Sequence, residues 1–141
     1  MTPFKRQVPI LLLCIAAAPA GAADLGMTVQ AIRSEHGQIK MMLFEREDGF
    51  RKEDKARQVL ALPAAKGEIS ATFKDLPPGR YAVVAYHDEN TDGKLNLRFG
   101  MFPKEGYGLS NNYKPSGPPK FKDAAFDLPN SGMQSAIRLA Y

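Results

Sequence analysis

Leu76-Pro77-Pro78-Gly79-Arg80-Tyr81-Ala82-Val83-Val84-Ala85-Tyr86-His87 is the stretch on which the fold turns. Two prolines and a glycine make a tight turn, because proline presets φ and glycine admits positive φ. The run that follows is apolar at odd and even positions alike. Successive side chains of a strand face opposite ways, so this strand is buried on both faces and belongs in the middle of a sheet. Around it, shorter runs alternate. Met27 to Arg33 puts Met27, Val29 and Ala31 on one face, and Gln38 to Glu45 does the same with Ile39, Met41 and Leu43. Ser34-Glu35-His36-Gly37 between them reads as a turn, which predicts a hairpin. Glu68 to Phe73 alternates through Ile69, Ala71 and Phe73. Phe121 to Leu128 and Gln134 to Tyr141 read as two further strands, the second with Ile137, Leu139 and Tyr141 together. Glu45 to Gln58 is mostly charged and reads as a loop or a short exposed helix. Residues 98–120 are rich in Gly, Pro and Asn and read as one long ordered loop. The pattern predicts an all-β domain over residues 24–141: a single antiparallel β-sandwich of about seven strands.

The N-terminus carries Lys5 and Arg6, an apolar run from Val8 to Ala18, and Pro19-Ala20-Gly21-Ala22-Ala23. A charged start, a short apolar core and small residues form a secretory signal peptide over residues 1–23. The run is shorter than the ~20 apolar residues of a membrane span. The protein is therefore expected in the periplasm, with secretion as the alternative. Leu13 stands before Cys14 where a lipoprotein signal would have a small residue, so no lipid anchor is expected. Cleavage removes the only cysteine, which leaves the exported chain without a disulfide. Of 19 Lys and Arg, Lys5 and Arg6 leave with the signal, so 17 bases face 15 acids. That balance speaks against nucleic acid as a partner.

Beyond the central strand comes Asp88-Glu89-Asn90-Thr91-Asp92-Gly93-Lys94-Leu95-Asn96. Asp88, Asn90 and Asp92 alternate and a glycine follows, as in the first half of an EF-hand calcium loop. Lys94 would supply its carbonyl and Asn96 a side-chain oxygen. The closing acid of such a loop is replaced by Phe99. Glu105 could fold back and complete the cage. The expected metal set is thus Asp88, Asn90, Asp92, Lys94, Asn96 and Glu105, and the expected ion is calcium, held at the ~10⁻⁴–10⁻³ M strength of extracellular modules. The rival reading is an Asx-rich turn that needs no metal.

His87 precedes the loop. With His36 as its only companion, it does not make a zinc site of the usual composition, and it reads as a structural histidine at a strand end. No Gly-x-Ser-x-Gly elbow is present, so no enzymatic activity is expected. The alternative is a small envelope hydrolase using His87, Asp88 and Glu105. Phe99, Phe102, Tyr107, Tyr113 and Phe121 flank the Gly/Pro-rich loop. They read first as a minicore pinning that loop, and alternatively as a carbohydrate-binding platform built from the aromatics in 99–113. The partner would be an envelope protein or a glycan.

Residues 76–96, with Phe-Gly-Met-Phe-Pro-Lys-Glu-Gly-Tyr-Gly-Leu-Ser-Asn-Asn (99–112) and Gly-Pro-Pro-Lys-Phe-Lys-Asp-Ala-Ala-Phe (117–126), resemble the exported bacterial proteins grouped as domain-of-unknown-function 2141. The resemblance spans essentially the whole exported chain. It implies export and a small β domain, and it brings no activity with it. The Leu-Pro-Pro-Gly-x-Tyr turn also resembles transthyretin-like and carboxypeptidase-regulatory-like sandwiches, within the wider immunoglobulin-like type. The loop is similar to dockerin calcium loops over its first nine positions.

Overall fold

The computed structural model describes residues 21–141. The expected signal peptide, residues 1–23 with Cys14, lies almost wholly outside the described residues. Ten strands, two single 3-10 turns and one helical turn follow in order. The strands are β1 (Ala23–Ile32), β2 (Gln38–Phe44), β3 (Gln58–Pro63), β4 (Gly67–Leu76), β5 (Gly79–Asp88), β6 (Leu97–Arg98), β7 (Phe102–Pro103), β8 (Tyr107–Leu109), β9 (Phe126–Leu128) and β10 (Met133–Arg138). One layer has the order β10-β1-β4 and the other β3-β2-β5-β8, with β9 also on β5. The fold is an all-β sandwich, as expected, with more strands than the seven anticipated.

β5 is central, as its composition predicts. β2 runs along one edge, while β8 and β9 share the other. Its two faces serve two cores. Tyr81, Val83 and Ala85 point between the layers, against Leu25, Met27, Val29 and Phe73 of the facing sheet. Ala82, Val84 and Tyr86 point outward, under Phe44, Phe50, Leu109 and Phe121. Phe50 stands edge-on to Phe44 at 5.3 Å and to Phe121 at 5.8 Å. The charged stretch after β2 therefore folds over the sheet as a loop with one 3-10 turn, Glu53–Lys55. It buries its one aromatic and leaves its charges in water.

Four local expectations are corrected. β1 and β2 do not pair as a hairpin: β1 joins β4 and β10, and β2 joins β3 and β5. An irregularity between Gln30 and Ile32, with Ala31 at φ 61°, turns Ile32 inward in place of Ala31. The chain then crosses from one layer to the other. β3 has no counterpart in the sequence reading, because it abuts the charge run. Its Leu60 and Leu62 pack on the core while Val59 stays 37% exposed. Phe121–Ala124 is a helical turn, not strand: it puts Phe121 and Ala124 on one buried face before β9 begins. Finally, the sandwich is not wholly antiparallel, since β10 runs parallel to β1.

Candidate metal-binding loop

Because β5 alternates, His87 and Asp88 leave it in opposite directions. His87 faces the interior between the layers and is fully buried. Its Nε2 lies 2.7 Å from the His36 carbonyl. A carbonyl only accepts, so Nε2 carries a hydrogen, and Nδ1 is hydrogen-bonded to the Tyr141 hydroxyl at 2.8 Å. Tyr141 in turn accepts from the Arg33 N–H at 3.1 Å, and the Arg33 guanidinium sits 4.3 Å above its ring. Both ring nitrogens of His87 are thus engaged inside the fold, in the structural role its position suggested.

Asp88, fully buried, turns to the loop. Its carboxylate accepts the N–H groups of Asp92 at 3.1 Å and Gly93 at 2.9 Å, and the Gln38 amide at 2.9 Å. Gly93 holds φ 76° and Thr91 φ 59°, which curl the backbone around that carboxylate. Asp92 accepts from the Lys94 N–H at 2.9 Å and from the amides of Asn96 at 2.8 Å and Asn90 at 3.1 Å. These donors, Asn96 foremost, hold the Asp92 carboxyl below its ordinary pKa. Glu105 does fold back onto the loop. It is 5% exposed, and its two oxygens accept the Glu89 and Asn96 N–H groups, each at 3.0 Å. It clamps both ends of the loop at once. The Tyr86 hydroxyl adds a bond to the Gly93 carbonyl at 3.0 Å.

Asp88, Asn90, Asp92, Asn96 and Glu105 are therefore tied into one hydrogen-bonded loop, with Lys94 contributing backbone. Every partner of the three acids is a neutral N–H or amide. Among the described residues no lysine or arginine pairs with any of them. Nor, among the described residues, do three His, Cys, Asp or Glu side chains stand close enough to share a metal. A cation here would have to draw on amide and carbonyl oxygens as well, a donor set that suits calcium.

A cleft of about 570 Å³ opens beside the loop, lined by His36, Glu89, Asn90, Asn96, Leu97 and Lys104. Glu105 reaches it, but neither His87 nor Asp88 lines it. The three residues of the hydrolase alternative are not gathered in it. The aromatics divide. Tyr107, Tyr113 and Phe121 pack on the outer core, and burial pushes the Tyr107 hydroxyl up to about 12. Phe99 and Phe102 stand in solvent, 85% and 60% exposed, so they are not part of the expected minicore. Gln38, Tyr86, Arg33 and Tyr141 support this region unannounced by any motif. The one sequence signal for Gln38 is its register, since it lies across from Asp88 in the β2–β5 pairing.

Two packed layers with an acid-rich loop at the end of a doubly buried strand define a small β-sandwich module. The chain belongs to the family described as an uncharacterized protein conserved in bacteria (DUF2141), whose model matches residues 27–136. That match runs from within β1 to within β10. Comparison with curated proteins gives no match, and comparison with solved structures gives none either.

Proposed function

We propose that this protein is an exported, non-enzymatic binding or accessory module of the bacterial envelope, resident in the periplasm, whose 88–96 loop takes a calcium ion. The observation that carries the reading is charge without an ion-pair partner. Asp88 and Glu105 are buried carboxylates, exposed Asp92 is joined to Asp88 through its backbone N–H, and the hydrogen-bond partners of all three acids are neutral. Buried anions are ordinarily paired or ligate metals. A half-turn of the Asn96 amide exchanges its nitrogen for oxygen 2.8 Å from the Asp92 carboxylate. That is roughly the edge of an oxygen polyhedron whose metal–oxygen distance is about 2.4 Å. Asp88, Asn90, Asp92, the Lys94 carbonyl, Asn96 and Glu105 are the proposed donors, and binding requires the loop to draw its three acids closer together than they stand in this structure. In this reading calcium offsets the repulsion of the acids and stiffens the chain that leads into β6.

Thermal melting tests it. After chelator treatment, calcium at tenfold excess over its Kd should stabilise the fold by about 1.4 kcal/mol, a rise of roughly 4–8 °C. Magnesium should do less, because it demands a tighter octahedral shell. Asp92→Asn, at an exposed position, should leave the fold intact and weaken the calcium response. A melting curve that millimolar calcium leaves unchanged would overturn the proposal and leave the loop as a turn capped by its own acids.

A further inference from the structure

The hairpin of β6 and β7 stands outside both layers, and its strands pair only with each other. It carries an apolar tip. Phe99 is 85% exposed, Met101 70% and Phe102 60%, with Leu97 at 42% just behind them. The tip turn holds Phe99 at φ 53° and Gly100 at φ 69°, closed by the Met101 N–H on the Arg98 carbonyl at 3.2 Å. Glycine suits such a turn, and Asn or Asp is the ordinary companion at the position before it. A bulky aromatic there is strained at the backbone and wet at the side chain, so neither local geometry nor burial accounts for it. Residues that break local rules in this way cluster at functional positions.

Charge surrounds the tip. From Lys94 to Lys104 the chain reads Lys-Leu-Asn-Leu-Arg-Phe-Gly-Met-Phe-Pro-Lys, with three exposed bases and no acid. Arg98 and Lys104 line a shallow cleft of about 510 Å³ together with Phe99, Phe102 and Pro103, so cations lie beside the rings. Between Leu97 and Pro103 there is no side-chain carboxylate, amide or hydroxyl to meet sugar hydroxyls, which disfavours a glycan. A seven-residue hairpin also falls short of the ~800 Å² that each partner of a stable protein interface buries. A lipid surface requires neither an extended nor a shape-matched contact. It takes apolar and aromatic side chains at the acyl boundary and pairs cations with headgroup phosphates.

We infer that the 97–103 hairpin is a membrane-surface anchor: Phe99, Met101 and Phe102 enter the interface of an anionic phospholipid bilayer, and Lys94, Arg98 and Lys104 meet its phosphates. The base of the hairpin is held firmly. The Lys104 N–H donates to the Asn96 carbonyl at 2.8 Å, and the Asn96 N–H to buried Glu105 at 3.0 Å. These bonds tie the base of the hairpin to the body, and the anchor operates with or without a cation in the loop.

The chain has no tryptophan, so Phe99→Trp in the exported protein installs a single indole at the tip. On vesicles of equal phosphatidylglycerol and phosphatidylcholine its emission should move to the blue and be quenched by lipids brominated on the acyl chain. In co-sedimentation, wild type should bind these vesicles at least tenfold more tightly than pure phosphatidylcholine. Replacing Phe99, Met101 and Phe102 together by serine should remove at least tenfold of that binding with an unchanged melting curve. Arg98→Gln with Lys104→Gln should remove several-fold and blunt the salt dependence. Every variant is purified after export, so that the N-terminal apolar segment, which would itself hold a chain on vesicles, is absent from all of them. Equal sedimentation of wild type and the triple-serine variant would overturn the inference. So would an indole that keeps its aqueous emission, binding indifferent to lipid charge, or a hairpin that captures a soluble glycan or protein and no vesicle.

Discussion

Glu89 sits between the loop and the C-terminus, and its charge is put to use. Arg33 grips it through two hydrogen bonds, at 2.6 and 2.7 Å. That contact, before any other, holds the Glu89 carboxyl below its ordinary value of 4.5 and raises Arg33 in turn. A carboxyl depressed in the folded state contributes stability above its unfolded pKa and loses it as pH falls through the folded one. Arg33 is about half exposed, so water screens the pair and its worth stays within about 1 kcal/mol. Glu89→Gln should therefore be slightly less stable than wild type at pH 7. The gap should close as pH is taken below 4.5, as paired urea titrations across that range would show. A gap that persists undiminished in acid would mean that shape, not charge, holds Glu89. At this scale the acids of the loop were legible in sequence, because the residues that shape the loop are neighbours in it. Glu105, 16 positions from the Glu89 N–H it meets, was expected to fold back, whereas Gln38, which reaches Asp88 across 50 positions, was not foreseen.

β5 is the element on which both cores depend. Val84 is 3% exposed on its outer face, among Phe44, Leu109 and their neighbours. Val84→Asp should abolish cooperative melting, since an unpaired buried carboxylate costs several kcal/mol against a total stability of about 5–15. Val59→Asp, on β3 and 37% exposed, is the control and should melt within a few degrees of wild type. A well-folded Val84→Asp protein would show that nothing covers the outer face. The doubly apolar run of β5 announced its central place. The elements lost to sequence reading are those whose pattern is borrowed from context. β3 alternates over six residues but follows a charged loop. The helical turn at Phe121–Ala124 is too short for any period to declare itself. β6 and β7 have two residues each and exist only as each other's partners.

Across the whole molecule, Tyr141 joins segments far apart in the chain. Its hydroxyl accepts from the backbone of Arg33, 108 positions away, and bonds His87, 54 positions away. Tyr141→Phe keeps the ring under Arg33 and removes both bonds. It leaves buried His87 Nδ1 with only the Glu89 carboxylate nearby, at 3.6 Å, a loss of about 1–3 kcal/mol. Denaturant unfolding should show that loss as one shifted transition, because β5 carries His87 and residues of both cores in one strand. A variant as stable as wild type would mean that water replaces the hydroxyl at no cost.

Local chemistry alone determined the all-β class, the central strand, the turn at Pro77-Pro78-Gly79 and the acid-rich loop. Each rests on residues that act within a few positions of one another, through proline's fixed φ, glycine's free φ or the two-residue period of a strand. Tertiary structure decided which strands meet. It split β1 from β2 into separate layers, laid β10 parallel to β1 and set Phe50 and Phe121 over the outer face of β5. It also gave His87 its buried partners, the His36 carbonyl and Tyr141, from distant segments. Those choices answer to packing between segments tens of residues apart, where burial of both faces of β5 outweighs the local tendency of adjacent strands to pair.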